Sequence, residues 1–394
     1  MQIANATRPN EIGSGLKKSV PDMEENMDSG RSDRWSALLI VLFFCAPAWA
    51  LPDTVERPAA KDVHAAKSAV FMSVARAGSR IVAVGERGII MTSSDDGRHW
   101  EQSDVPTSVT LTQVHFATPT RGWAVGHRGV ILRTDDGGLT WARQFDGVSA
   151  AKAVLEYYQG KAITQDGQSS EDMAKRVRAA QRLLDEGADK PFLDVYFADA
   201  NTGYVVGAYN LIFRTVDAGK TWSPWQDHLE NPGEFHLHAI RNCGTSWFIA
   251  GEQGLLLRSV DDGATFQRVS FPYSGSLFGL VATQSCKLTA YGLRGNAYQS
   301  TDHGLCWDQI EGLSQASILG GAVLDGTTYL LDQAGEIAWA PNSSTVFAMT
   351  KSGSQAPLTG VLSLPDGSLI LTSANGILRM NNPRNTAMAD GSSK

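Results

Sequence analysis

Cysteine is scarce in this chain, with four in 394 residues, and no Cys-x-x-Cys pair occurs. The zinc and redox motifs that such pairs build are therefore missing. No apolar run reaches the roughly 20 residues that a membrane-spanning helix needs. Positive charge is also short, with 34 Lys and Arg against 41 Asp and Glu and a formal net charge of −7. That balance argues against general nucleic-acid binding, which favours a basic footprint. There is no Gly-x-Ser-x-Gly elbow and no phosphate-binding glycine loop, so neither a serine-hydrolase nor a nucleotide site is indicated.

What the chain has is repetition. An eight-residue pattern, Ser/Thr-x-Asp-x-Gly-x-Thr-Trp, occurs five times: Ser93-Ser-Asp95-Asp-Gly97-Arg-His-Trp100, Thr134-Asp-Asp136-Gly-Gly138-Leu-Thr-Trp141, Thr215-Val-Asp217-Ala-Gly219-Lys-Thr-Trp222, Ser259-Val-Asp261-Asp-Gly263-Ala-Thr-Phe266 and Ser300-Thr-Asp302-His-Gly304-Leu-Cys-Trp307. Their first residues are 41, 81, 44 and 41 apart. The pattern resembles the Asp-box of neuraminidase-type β-propellers. Asp and Gly let a short turn take positive φ, and the carboxylate accepts bonds from nearby backbone N–H groups. The leading Ser or Thr adds a local bond, and the closing aromatic supplies a large apolar anchor. The reading is structural, a hairpin turn plus an anchor, and a period near 40 predicts one four-stranded blade per repeat.

A second repeat precedes each box. Gly85-Glu-Arg-Gly88, Gly126-His-Arg-Gly129, Gly207-Ala-Tyr-Asn210, Gly251-Glu-Gln-Gly254 and Gly292-Leu-Arg-Gly295 are each flanked by apolar stretches, which is a hairpin signature. Asp332-Gln-Ala-Gly335 and Ser373-Ala-Asn-Gly376 keep the interval, at 40 and 41 residues, after the boxes have vanished. Seven turns predict an all-β, seven-bladed propeller over residues 69–384, with 51–68 as an N-terminal segment that could close the ring and 385–394 as a flexible tail. The interval of 81 holds a helical insert. Residues 150–158 and 170–186 have helix-forming composition. Ser169 or Ser170 can cap the second helix, Met173, Val177, Ala180 and Leu184 recur at helical spacing, and Gly187 stops it. A helical hairpin is expected over 148–190.

At the N-terminus, residues 1–34 are polar. Arg31 and Arg34 precede a short apolar run, Trp35 to Ala46, and then Ala48-Trp-Ala50. This predicts a signal peptide cut after Ala50 and an exported, periplasmic protein, with Met27 as a start that would give a more ordinary leader. Phe43 and Phe44 stand before Cys45 where a lipobox wants small residues. Cys243, Cys286 and Cys306 remain after cleavage, so at least one thiol is unpaired within a monomer. Cys243 and Cys286 occupy similar places in adjacent blades, which allows a bridge without requiring one. Cys306 replaces the Thr of its box and reads as a packing residue.

Asp-boxes invite a glycosidase reading, so the chemistry must be looked for. The Arg-Ile-Pro segment typical of sialidases is missing, and Phe213-Arg214 is followed by Thr215, which opens a box. Glu86 and Glu252 lie on equivalent turns and could share a face, but paired carboxylates must meet in one cleft, and acids on turns are ordinarily solvated. His236-Leu-His238 puts two imidazoles on one side of a strand, yet no third ligand is indicated. No catalytic residue, metal site, cofactor or small-molecule substrate is expected. A secreted sialidase-like or other glycan-active hydrolase is the alternative.

Residues 114–141, with Trp123 to Gly129 and the box that ends in Trp141, resemble the repeat of the photosystem II stability/assembly factor family of chloroplasts and cyanobacteria, and 196–222 follows the same plan. The resemblance covers about 69–310, and 316–383 by register. It implies a seven-bladed propeller on the lumenal or periplasmic side of a membrane. It also implies a non-catalytic scaffold that assists assembly of an integral membrane protein complex. Similar proteins occur in non-photosynthetic bacteria, where a photosystem cannot be the client; the expectation for such a host is another membrane complex, for instance an exporter. The resemblance also implies a basic binding patch on one face, for which Arg87, Arg128 and Arg294, the third residues of their Gly-x-Arg-Gly turns, are the expected counterpart. The helical insert departs from the plain propeller.

Overall fold

The middle of each repeat is apolar without alternation: Ile81 to Val84, Trp123 to Val125, Tyr204 to Val206 and Trp247 to Ala250 are all buried. A strand buried on both faces needs a layer on each side, and the neighbouring blades supply it. The computed structural model describes residues 57–61, 64–164, 171–187 and 189–385. The expected extension and signal peptide over 1–50, with the cut at Ala50, lie outside these residues. So do 51–56, 62–63, the hairpin connection 165–170 and the tail beyond residue 385.

Among the described residues, seven antiparallel sheets follow one another along the chain, six of four strands and a last of three. Their inner strands are Phe71–Ala77, Leu111–Phe116, Phe192–Phe197, Leu237–Cys243, Leu277–Ala282, Ile318–Leu324 and Leu358–Ser363. Each inner strand packs on the next, and Leu358–Ser363 returns to Phe71–Ala77, so the ring is closed. We number the blades 1 to 7 in this order. A polar relay links some inner strands. The Thr112 hydroxyl donates to Phe192 O, the Thr359 hydroxyl to Phe71 O and His238 Nδ1 to Leu277 O, each at 2.8 Å.

The N-terminal segment contributes a short helix, α1 (Ala65–Ser68), which packs against the last strand of blade 7 (Gly376–Asn381). Gly376 N–H donates to Ala69 O at 2.9 Å. Among the described residues nothing adds a fourth strand to blade 7, so ring closure rests on inner-strand packing rather than on a shared sheet.

Between blades 2 and 3 stands a helical hairpin, α2 (Gly147–Thr164) and α3 (Glu171–Glu186). Asp146 accepts the Ser149 N–H at 2.9 Å and caps α2. Gly187, at φ 81°, ends α3. Ala150, Val154, Leu155, Tyr158, Met173 and Ala180 join one core with Phe192, Val205, Phe213 and Trp222. The hairpin therefore extends the hydrophobic core of blades 2 and 3.

A disulfide joins Cys243, at the end of blade 4's inner strand, to Cys286 in the first turn of blade 5, with Cα atoms 5.6 Å apart. The packing role expected of Cys306 is corrected: its side chain is exposed. It stands where three other boxes carry a Thr whose hydroxyl donates to the Asp and the first carries His99, and that position is exposed.

Candidate functional site

The propeller offers two faces. One carries the five box turns, between third and fourth strands, and the other the turns between second and third strands. In every box the leading hydroxyl accepts the Gly N–H, at 2.8 or 2.9 Å, onto Ser93, Thr134, Thr215, Ser259 and Ser300 from Gly97, Gly138, Gly219, Gly263 and Gly304. The Asp accepts the N–H four residues on from itself: Asp95 from His99, Asp136 from Thr140, Asp217 from Thr221, Asp261 from Thr265 and Asp302 from Cys306, all at 2.9–3.0 Å. Hydrogen bonds from Ser259 and Thr265 pull the Asp261 carboxyl down to about 2, and those from Cys306 N–H and Ser300 do the same for Asp302. These groups are ionised acceptors committed to their own turns, which is the wrong state for a general acid.

The anchors close the boxes. Trp141, Trp222, Phe266 and Trp307 are buried. Trp100 is only half-buried; it packs toward blade 7, which has three strands among the described residues. Trp100, Trp141 and Trp307 donate Nε1–H to the carbonyls of Gly97, Gly138 and Gly304 at 3.1–3.2 Å. Phe266 cannot donate, and Tyr204 and Trp225 bond Gly263 O instead, at 2.9 and 3.0 Å.

On the other face Arg87, Arg128 and Arg294 hold equivalent left-handed positions, with φ of 53°, 58° and 56°. Their surroundings differ. Arg87 and Arg294 are exposed, whereas Arg128 is half-buried, and α2 packs on its turn. A Cβ on Gly129 would meet Gly147 Cα at 2.6 Å, so this approach requires glycine. Blades 1 and 2 are neighbours, but blade 5 lies across the ring. The three arginines share a face without forming one cluster.

Glu86 and Glu252 are not brought together either. Each accepts a backbone N–H at the start of its own blade, Val70 to Glu86 at 3.2 Å and His236 to Glu252 at 3.0 Å. The structure does supply what the His-x-His motif lacked. His236, His238 and Glu252, all half-buried, place ligand atoms within 4.8 Å of one another. His236 Nδ1 is 3.5 Å from Glu252 Oε1. Burial depresses the His238 imidazole and favours the neutral ring, outweighing the bond to Leu277 O, which acts in the opposite direction.

Asp227, which no sequence pattern singled out, ties the hairpin down. It accepts from Tyr158 at 2.9 Å, from Lys161 at 2.7 Å and from Arg176, and so joins α2 and α3 to the turn after blade 3. Although burial pushes its carboxyl up, the Lys161 and Tyr158 hydrogen bonds and the Arg176 charge hold it below the usual range. Among the described residues no helix is long and apolar enough to cross a membrane.

The model of the family described as photosynthesis system II assembly factor YCF48 matches residues 92–160 and 174–335. The photosystem II assembly lipoprotein Ycf48 of Synechococcus sp. (strain CC9902) is 27% identical over 201 residues, which span 48% of this chain and 58% of that protein. This chain thus matches a little over half the length of that relative. A solved YCF48 bound to a D1 peptide has a TM-score of 0.56 at 14% identity, over 80% of this chain and 94% of its own. YCF48 from Cyanidioschyzon merolae gives 0.56 at 14%, over 81% and 97%. At such identity the solved structures establish the propeller fold alone. The family model covers more than half of the chain, and the protein belongs to the photosynthesis system II assembly factor YCF48 family.

Proposed function

We propose that this protein is an exported, non-catalytic scaffold that assists assembly of a membrane protein complex by holding an acidic segment of one subunit. The observation that carries the reading is family membership. A relative that is an assembly lipoprotein, and another bound to a D1 peptide, support a client at a membrane and a peptide as the ligand. The absence of a convergent acid pair at Glu86 and Glu252 supports a binding role over glycoside hydrolysis.

The docking face of this reading is the one that carries Arg87 and Arg294, with the α2–α3 hairpin as a second contact. Both arginines project from rigid turns, which is where propellers commonly present binding groups. Arg128 acts there as a neighbour packed by the hairpin. A local basic face steers an acidic partner even on a chain of net charge −7.

The test is capture by the tagged protein from detergent-solubilised membranes of its source, followed by kinetics on the purified partner. R87E/R294E should slow association about tenfold at low salt and leave dissociation nearly unchanged, because exposed charges act mainly on encounter. Added salt should erase the difference. An unchanged association rate at low salt would remove the arginines from the interface. Failure to enrich any membrane protein would sink the assembly reading itself.

A further inference from the structure

Blade 4 combines two features that occur separately elsewhere in the ring. A Glu in the turn between second and third strands accepts the N–H preceding the inner strand in blades 1 and 4. In blade 1, Val70 and Met72 stand where blade 4 has His236 and His238, as the pairing of Phe71 with Gly85 and of Leu237 with Gly251 establishes. This carboxylate contact therefore needs no histidine. The second inner-strand residue bonds to the next blade in three places, and Thr112 and Thr359 make that bond as well as His238 does. That bond needs no histidine either. Blade 4 nonetheless carries imidazoles at both positions, beside the carboxylate.

The three groups are arranged as ligands. His238 donates Nδ1–H to Leu277 O, which fixes the ring and leaves Nε2 as its lone-pair nitrogen. Glu252 has Oε2 held by the His236 N–H, and Oε1 faces His236 Nδ1 at 3.5 Å. That separation exceeds the roughly 2.7–3.2 Å of a hydrogen bond. It is close to the spacing of about 3.4 Å between two ligands of a tetrahedral zinc ion with bonds of about 2.1 Å. One ligand atom from each of the three residues lies within 4.8 Å of the others, so small side-chain rotations bring the set together. The His236 and Glu252 side chains keep 30% and 32% of their surface exposed, which leaves a coordination position open to solvent.

We propose that His236, His238 and Glu252 bind a zinc ion on the turn face of blade 4, with two imidazole nitrogens and one carboxylate oxygen as protein ligands and a water in the open position. Imidazole and carboxylate donors in this number suit a borderline divalent ion. The site stands independently of the assembly reading.

Calorimetric titration of the untagged full chain with zinc chloride tests it. One saturable equivalent is expected. H236Q and E252Q should each weaken binding by more than about 100-fold, beyond what changes to outer-shell groups cost. H303Q, on the box face, should bind zinc as the wild type does. Zinc should also raise the wild-type melting temperature, and that rise should vanish in H236Q while the zinc-free melting temperature stays put. H238Q tests the third ligand; because His238 also bridges to blade 5, H236Q decides the matter if H238Q fails to fold. Absence of saturable zinc binding would overturn the proposal, as would binding that persists in H236Q/E252Q.

Discussion

His115 should make this protein acid-sensitive, and the effect can be isolated with one substitution. The residue lies on the inner strand of blade 2, with its ring 4.7 Å from that of Tyr196 in blade 3. Nε2 is 3.1 Å from Phe197 O, a pure acceptor, so that nitrogen carries the proton of the neutral ring. Arg241 of blade 4 approaches over Tyr196 and bonds to buried Asp194 at 2.5 Å. Burial first, and the Arg241 charge second, pull His115 down to about 4 from 6.5. Below pH about 6.5 the unfolded chain takes up a proton at this position, whereas the folded protein does not until pH about 4. The unfolded state binds more protons in that window, so stability falls as pH falls through it. Because the ring is half-buried, a shift of this size sets an upper limit of roughly 3 kcal/mol, of which up to about 2 kcal/mol is lost between pH about 7 and pH about 5. H115Q keeps a donor for Phe197 O and has no group to titrate. Urea unfolding of both proteins at the two pH values reads the difference directly. The wild type should lose about 1–2 kcal/mol more than H115Q over that interval. Parallel pH profiles, within about 0.5 kcal/mol, would refute the reasoning.

Two further outcomes follow from contacts between elements. D227A removes the shared acceptor of Tyr158, Lys161 and Arg176. The two cations are substantially solvent-exposed, so the cost should be only about 2 kcal/mol, felt as faster hydrogen exchange in α2 and α3 while the blades keep their protection; unchanged exchange in both helices would contradict the anchor. C243S/C286S opens a loop with a sequence separation of 43, which chain entropy values at about 4 kcal/mol. Its melting temperature should match that of the reduced wild type, and equality with the oxidised wild type would mean that the bridge contributes nothing.

Much of the architecture is legible in single repeats because its causes are local. A hydroxyl, a carboxylate and a glycine within eight residues close a box turn through bonds that never leave the segment, as Thr134, Asp136 and Gly138 do. Unbroken apolar runs such as Tyr204 to Val206 declare strands covered on both sides. Counting such units yields seven blades, and the helical spacing of Met173, Val177, Ala180 and Leu184 marks a face that joins the core of blades 2 and 3.

The site was harder to read because its groups come from different segments. His236 and His238 were visible as a pair, but their third partner sits 14 residues beyond His238, across a strand pair whose register places Leu237 opposite Gly251. By repeat, Glu252 is equivalent to Glu86, yet the ring puts those blades apart. Arg128 shares its turn position with Arg87 and Arg294, yet only packing of α2 against blade 2 determines that it is half-buried. The buried Asp194–Arg241 pair and the anchor at Asp227 join elements of different blades or helices, and no local pattern marks them. Turn chemistry is set by neighbours along the chain and is determined by the sequence alone. Burial, ion pairing and ligand convergence depend on how blades and helices pack against one another, and those were decided by the tertiary structure.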